Sequence, residues 1–161
     1  MSSEDKKDGI GAAIGRIPSG VFIVTAADDE LSTALLASWV QQVAFEPPLI
    51  AVAVKEGRPI RALIESSNAF VVNVLAEGQN SILGHFAAGF GPDEDAFDGI
   101  ATSKTAGGAA ILTDALAHID CKLHSSMQIS DHILFVGEAV GGELQGEDPP
   151  YVHLRKSGFS Y

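Results

Sequence analysis

The chain has 161 residues, 46% of them hydrophobic and 19% charged, enough for one well-buried core and short for two. Ten Lys and Arg stand against 21 Asp and Glu, a formal net charge of -11, which repels polyanions and excludes nucleic acid and anionic membrane as general partners. One cysteine, Cys121, excludes an intrachain disulfide framework, and no apolar run approaches a bilayer span, so a soluble cytoplasmic protein is expected.

The charged start, MSSEDKKD, reads as a disordered, solvated tail over residues 1–8, with a single domain over residues 9–161. Small residues across Gly9–Ile17 leave room for one or two helical turns. Val21–Thr25 is a β-branched strand ending at the turn signal Asp28-Asp29-Glu30; Leu31–Ala44 and Leu49–Val54 follow as strands separated by Pro47-Pro48. Pro59 stands at a helix start, and Ile60, Leu63 and Ile64 share a face, so Pro59–Ser66 is predicted as a short helix. Phe70–Leu75 is a strand, and Gln79–Ala88, with Ile82, Leu83 and Phe86 on one side, is a second helix. The Gly- and Asp-rich stretch Gly89–Gly99 is a loop, and Thr105–Ala110 is weakly patterned. Ala115–Met127 and Ile133–Val140 are long strands paired antiparallel around Ser130-Asp131; Gly141–Pro150 is a loop, and Tyr151–Arg155 a last short strand. This β-rich order with few βαβ crossovers predicts a mainly β (α+β) barrel with short helices packed outside it.

Familiar nucleotide signatures are missing. Gly9-Ile10-Gly11 with Gly15 follows no strand and has the wrong spacing for a dinucleotide loop, and there is no Walker loop or HExxH. Lys55, Arg58 and Arg61 instead concentrate three of the ten basic residues within seven positions, between a strand and a helix start. Two readings fit: a phosphate site using helix N–H groups and charge-assisted donors, or solvated side chains paired with Glu56 and Glu65. On a strand, His118, Asp120 and His124 share a face with Lys122 while Cys121 points the other way, which argues against a metal site and makes Cys121 a small core hydrophobe. Asp131-His132 before an apolar strand fits either a turn cap or a projecting catalytic group, and the lone Trp39 fits either core or a planar-ligand contact.

Seven segments stand in an order that resembles the flavin reductase-like, FMN-binding split-barrel family. They are Leu36-Ala37-Ser38-Trp39-Val40-Gln41-Gln42, Phe45-Glu46-Pro47-Pro48-Leu49, Phe70–Leu75, His85-Phe86, Ile111–Ala117, Ser130-Asp131-His132, and His153–Gly158 with Tyr161. Over Ile14 to Tyr161 the chain is most similar to the C-terminal flavin reductase module of photosynthetic flavodiiron proteins. The resemblance implies a homodimeric split β-barrel that binds FMN, or less often FAD, near the subunit interface and reduces it with NADH or NADPH. An electron-accepting protein is a further implied partner. By this resemblance Leu36, Ala37, Ser38, Trp39 and Val40 lie along the isoalloxazine, and Gln42 stands near the ribityl or phosphate. Lys55 and Arg58 meet the phosphate, His85 and Phe86 border the flavin, His132 stands by the nicotinamide as the candidate catalytic residue, and Tyr161 closes the site. Leu36 and Ala44 replace hydroxyl residues common in stand-alone reductases, and Ser130 replaces the usual Gly before Asp-His. No metallo-β-lactamase-like or flavodoxin portion lies within the sequence, so a free-standing relative or an excised module is expected. A non-catalytic flavin-holding electron carrier is the alternative activity, and a haem-binding relative a more distant one.

Overall fold

A computed structural model describes residues 1–161. In chain order the elements are α1 (Ser3–Ile14), β1 (Ser19–Gly20), β2 (Phe22–Ala27), β3 (Ser32–Ala37), β4 (Val40–Phe45), β5 (Pro48–Lys55), α2 (Ile60–Ser67), β6 (Ala69–Val74), α3 (Asn80–Ala87), β7 (Thr102–Lys104), β8 (Ala110–Leu112), β9 (Ala117–Ile129), β10 (His132–Leu144) and β11 (Val152–His153). Seven strands form one antiparallel sheet in the order β3-β2-β6-β9-β10-β5-β4. Its two edge strands, β3 and β4, are consecutive in sequence and joined by Ser38 and Trp39 alone. Three Cα steps reach at most ~11 Å, so the sheet must roll until its edges nearly meet. The result is a split β-barrel, open along one seam.

Fourteen buried residues fill the barrel, among them Val24, Val52, Val54, Phe70 and Phe135. Helix α2 contributes Ile60, Leu63 and Ile64 to this core through its one apolar face. A second cluster of eight lies outside the wall, where Ile23 and Leu75 are covered by Phe86 of α3, Ala96 and Leu112 of β8. Strand β2 is therefore buried on both faces, which is why it reads as a hydrophobic run without alternation, its one polar side chain, Thr25, bonded to the Ala110 carbonyl.

Several elements differ from the sequence reading, each for a local reason. The expected tail over residues 1–8 is part of α1: the Ser2 hydroxyl accepts the Asp5 N–H at 3.0 Å while Asp5 accepts the Ser2 N–H at 2.9 Å, a capping box that starts the helix at Ser3. The expected strand Leu31–Ala44 is two strands on opposite sheet edges, broken at Ser38-Trp39. Four of the ten residues of the predicted loop Gly141–Pro150 belong to β10, because a register shift between Ala139 and Gly141 lets pairing resume from Gly141↔Asp120 to Leu144↔Ala117. The unpatterned stretch near Thr105–Ala110 turns between β7 and β8.

The β9–β10 hairpin turns through Ser130 and Asp131, with Ile129 opposite His132. Ser130 adopts a left-handed φ of 47°, a conformation that glycine takes without steric cost. Ser130→Gly is therefore expected to stabilise the fold by about 0.5 kcal/mol, a rise in Tm of ~1–2 °C, after glycine's extra unfolded-state entropy is counted. Thermal unfolding followed by circular dichroism checks this, and a lower Tm refutes it.

Candidate functional site

The seam of the barrel is where the site forms. At the end of β3 the chain crosses from one sheet edge to the other, and the Trp39 carbonyl accepts the Ala53 N–H of β5 at 3.0 Å. Beside this crossing lies an apolar cleft of about 280 Å³. Leu36, Ala37, Ser38 and Trp39 form one wall, and Phe86 with Leu83 of α3 forms the opposite one. Lys55 and Arg58 stand at its rim, and Tyr161 reaches it from the last segment of the sequence. A more polar cleft of about 490 Å³ adjoins it, lined by Asp131, His132 and Arg155 and sharing Trp39, Ala53, Lys55 and Tyr161 with the first.

Charge is distributed unevenly around these clefts. The fold holds two close acid–base contacts, Arg61–Glu65 at 3.0 Å and His132–Asp131 at 2.8 Å. The surface-pair reading of the basic cluster thus holds for Arg61, whereas Lys55 and Arg58 make no ion pair. Glu56 is occupied by the Gln128 amide, which donates to it at 2.7 Å. An acidic protein accordingly presents two cations without an ion-pair partner at the mouth of an apolar slot.

Trp39 is the meeting point of the second cleft. The His132 ring lies 4.8 Å from it, the Tyr161 ring 5.4 Å, and the Arg155 guanidinium 5.1 Å from its centroid. The Asp131 carboxylate can only accept, so His132 carries a proton on Nδ1 and donates it there, and in that tautomer Nε2 is the acceptor for the Tyr161 hydroxyl. That hydrogen bond holds the Asp131 carboxyl below the usual carboxylate range. Burial pushes the Tyr161 phenol up, with Arg58 and Arg155 pulling against it, so the phenol is a neutral donor at physiological pH.

Eight of the eleven residues named from sequence as cofactor contacts line the first cleft: Leu36, Ala37, Ser38, Trp39, Lys55, Arg58, Phe86 and Tyr161. His132 lines the second. Three stand elsewhere. Val40 begins β4 and packs against the barrel core, because alternation along a strand sends it opposite to Trp39. Gln42 is exposed on the edge strand and donates to the Ala44 carbonyl at 3.1 Å. His85 turns away from the cleft to bond the Ala96 carbonyl at 2.8 Å, with its ring edge-on to Phe86 at 4.7 Å. It braces the cleft wall from behind.

Among the lining residues that sequence reasoning did not name are Val21, Leu83 and His153 in the first cleft and Arg155 in the second. Leu83 was visible on the apolar face of its helix, and His153 and Arg155 lie in the segment His153–Gly158 that carries the family resemblance, though the resemblance gives them no role. Cys121 is fully buried, and burial pushes its thiol up to about 12, in keeping with a core residue and not a nucleophile. No group of three or more His, Cys, Asp or Glu side chains is placed to hold a metal. No helix is long and apolar enough to cross a membrane.

Residues 14–160 match the flavin reductase like domain family. The chain is 42% identical over 151 residues to diflavin flavoprotein A 1 of Synechocystis sp., covering 92% of this chain and 26% of that protein. It is 40% identical over 151 residues to the putative diflavin flavoprotein A 6 of Nostoc sp., with the same coverage of 92% and 26%. The chain thus spans about a quarter of the length of the curated relatives it matches. Among solved structures, an NADH:FAD oxidoreductase of Streptomyces globisporus superposes with a TM-score of 0.82 at 26% identity, over 89% of this chain and 86% of that one. A homologue of nitrilotriacetate monooxygenase component B from Mycobacterium thermoresistibile shares the fold with a TM-score of 0.82 at 24% identity, over 95% and 85%.

Proposed function

The chain belongs to the flavin reductase-like domain family, whose members are flavin-binding oxidoreductases, and from that premise we propose that it binds FMN in the apolar cleft and reduces it with NADH or NADPH. The observation that carries the reading is the pairing of an apolar slot at the β3–β4 crossing with two unpaired cations, Lys55 and Arg58, at its mouth. An apolar slot suits the ring system and a cationic mouth suits a phosphate monoester. FMN is preferred over FAD on that charge pattern.

The flavin would supply the hydride-accepting chemistry, and the protein supplies position and electrostatics. Leu36, Ala37 and Phe86 line the cleft and would hold the ring in an apolar setting with water shut out. The free backbone N–H groups at the β3–β4 crossing are donors for a ring edge that gains negative charge on reduction. His132, oriented by Asp131, would meet the nicotinamide amide rather than move the transferred hydride.

A second reading, that this unit only holds FMN and passes electrons delivered by another protein, is favoured by its covering a quarter of multi-part diflavin relatives. Anaerobic addition of NADH or NADPH to FMN-loaded protein separates the two. Bleaching of the flavin band by the nucleotide alone is expected; persistent colour would leave only the carrier. The same reading includes a cytoplasmic homodimer. The unpaired edge strand β4, where Val43 is 52% and Phe45 90% exposed, is its proposed contact.

A further inference from the structure

Tyr161 stands between the two clefts and lines both of them. It is held there by the O–H donated to His132 and by the face it shares with Trp39. The segment that carries it is anchored elsewhere. Arg155 donates to the Ser160 carbonyl at 3.1 Å while its guanidinium lies over Trp39. Further back, the Gly158 N–H donates to the Gly11 carbonyl of α1 at 2.7 Å, and Arg16 donates to the Arg155 carbonyl at 2.6 Å. The approach is close on both sides: a Cβ at Gly158 would collide with the Ile14 side chain, and one at Gly11 would come 2.8 Å from the Ser157 hydroxyl. Residues 155–161 are therefore a strap seated on α1, with an aromatic ring at its end inserted beside Trp39.

We propose that Tyr161 is an internal competitor for the second planar ligand, occupying the space beside Trp39 that a nicotinamide ring must take and leaving it when the nucleotide binds. The inference rests on reading the first cleft as a flavin site with a nicotinamide co-substrate. Two flat rings that exchange a hydride must stack face to face, and the open ground next to the first cleft is the second one, whose entrance Tyr161 shares with Trp39, Ala53 and Lys55. The phenol is a removable plug, since one side-chain hydrogen bond and one ring face hold it and the residue is 63% exposed. Its departure frees His132 Nε2 and the side of Trp39 that the phenol covers to meet the incoming nicotinamide. Because the strap is seated on α1, displacement also loosens the Gly11–Gly158 contact, coupling nucleotide occupancy to the N-terminal helix.

A plug that is mostly closed lowers apparent affinity by the fraction of molecules in which it is open. Removing the ring in Tyr161→Ala is expected to lower the nucleotide KM roughly tenfold, with Tyr161→Phe, which keeps the ring and loses the bond to His132, falling between. In flavin-free protein, hydrogen exchange at Gly11 to Gly15 and Gly158 rises in Tyr161→Ala. If the nucleotide fails to reduce the flavin, the functional reading falls. Nucleotide binding to the same variants is then read directly from the fluorescence of Trp39, the single tryptophan. A nucleotide affinity in Tyr161→Ala equal to or weaker than that of the unaltered protein overturns the proposal by either readout.

Discussion

Replacing both Lys55 and Arg58 by Ala is expected to weaken FMN binding about 10²-fold while leaving riboflavin within roughly threefold, because riboflavin lacks the phosphate. The size follows from two charge-assisted contacts, each worth about 1.5–3 kcal/mol when sheltered and less here, where both side chains are exposed and screened by salt. Together they amount to about 2.7 kcal/mol, and the FMN deficit should narrow as ionic strength rises. Arg61→Ala serves as the control: its guanidinium is engaged by Glu65 and lines neither cleft, so FMN affinity should be unaffected. Titrations of both flavins at low and high salt decide the matter. Equal losses for FMN and riboflavin would place the phosphate elsewhere.

Lys55 and Arg58 also show how far local sequence carries a site. A basic cluster in a chain of formal charge -11 is conspicuous, and its place between β5 and α2 puts it at a sheet end. Composition cannot tell which of the three basic side chains finds an acid. Arg61 has Glu65 one helical turn away, and the other two have no such neighbour. The family resemblance puts both His85 and Phe86 at the flavin border, yet adjacent helical residues diverge by ~100°, so one faces the cleft and the other the Ala96 carbonyl. Val40 and Trp39 diverge for the corresponding reason in a strand.

The barrel was legible because its strands are β-branched runs with short connections, and its closure was not. Periodicity sees Leu31–Ala44 as one strand with a polar interruption, since nothing local distinguishes a kink from a crossing between opposite edges of a rolled sheet. Only the strand order reveals that Ser38 and Trp39 span the seam, and that the seam is the site. The cluster of Trp39, His132, Arg155 and Tyr161 draws on residues more than a hundred positions apart, so each was at most a single conspicuous side chain in the sequence.

Asn73 connects the fold to the cleft, and its loss should be felt in both. It sits fully buried in β6, where its amide donates to the Ile23 carbonyl at 3.0 Å and its oxygen accepts the Leu112 N–H at 2.8 Å. A polar side chain in a wall of Val, Phe and Ile is tolerated there because both ends are satisfied. The bond to Leu112 clips β8 onto the outside of the barrel, and β8 completes the cluster containing Phe86, the wall of the first cleft. Asn73→Ala leaves the Leu112 N–H buried without this partner and opens a small cavity, at about 2–6 kcal/mol for two lost contacts of 1–3 kcal/mol each. At about 2–4 °C per kcal/mol for a chain of this size, Tm should fall by ~5 °C or more. Thr25→Val tests whether any contact to this hairpin matters equally: the Thr25 hydroxyl donates to the Ala110 carbonyl at 2.5 Å, one bond rather than two, and a loss of about 1–2 kcal/mol is expected. Urea unfolding of the two variants measures both values. An Asn73→Ala loss below that of Thr25→Val would show that the Asn73–Leu112 bond does not hold β8 in place, and flavin affinity should then be indifferent to Asn73.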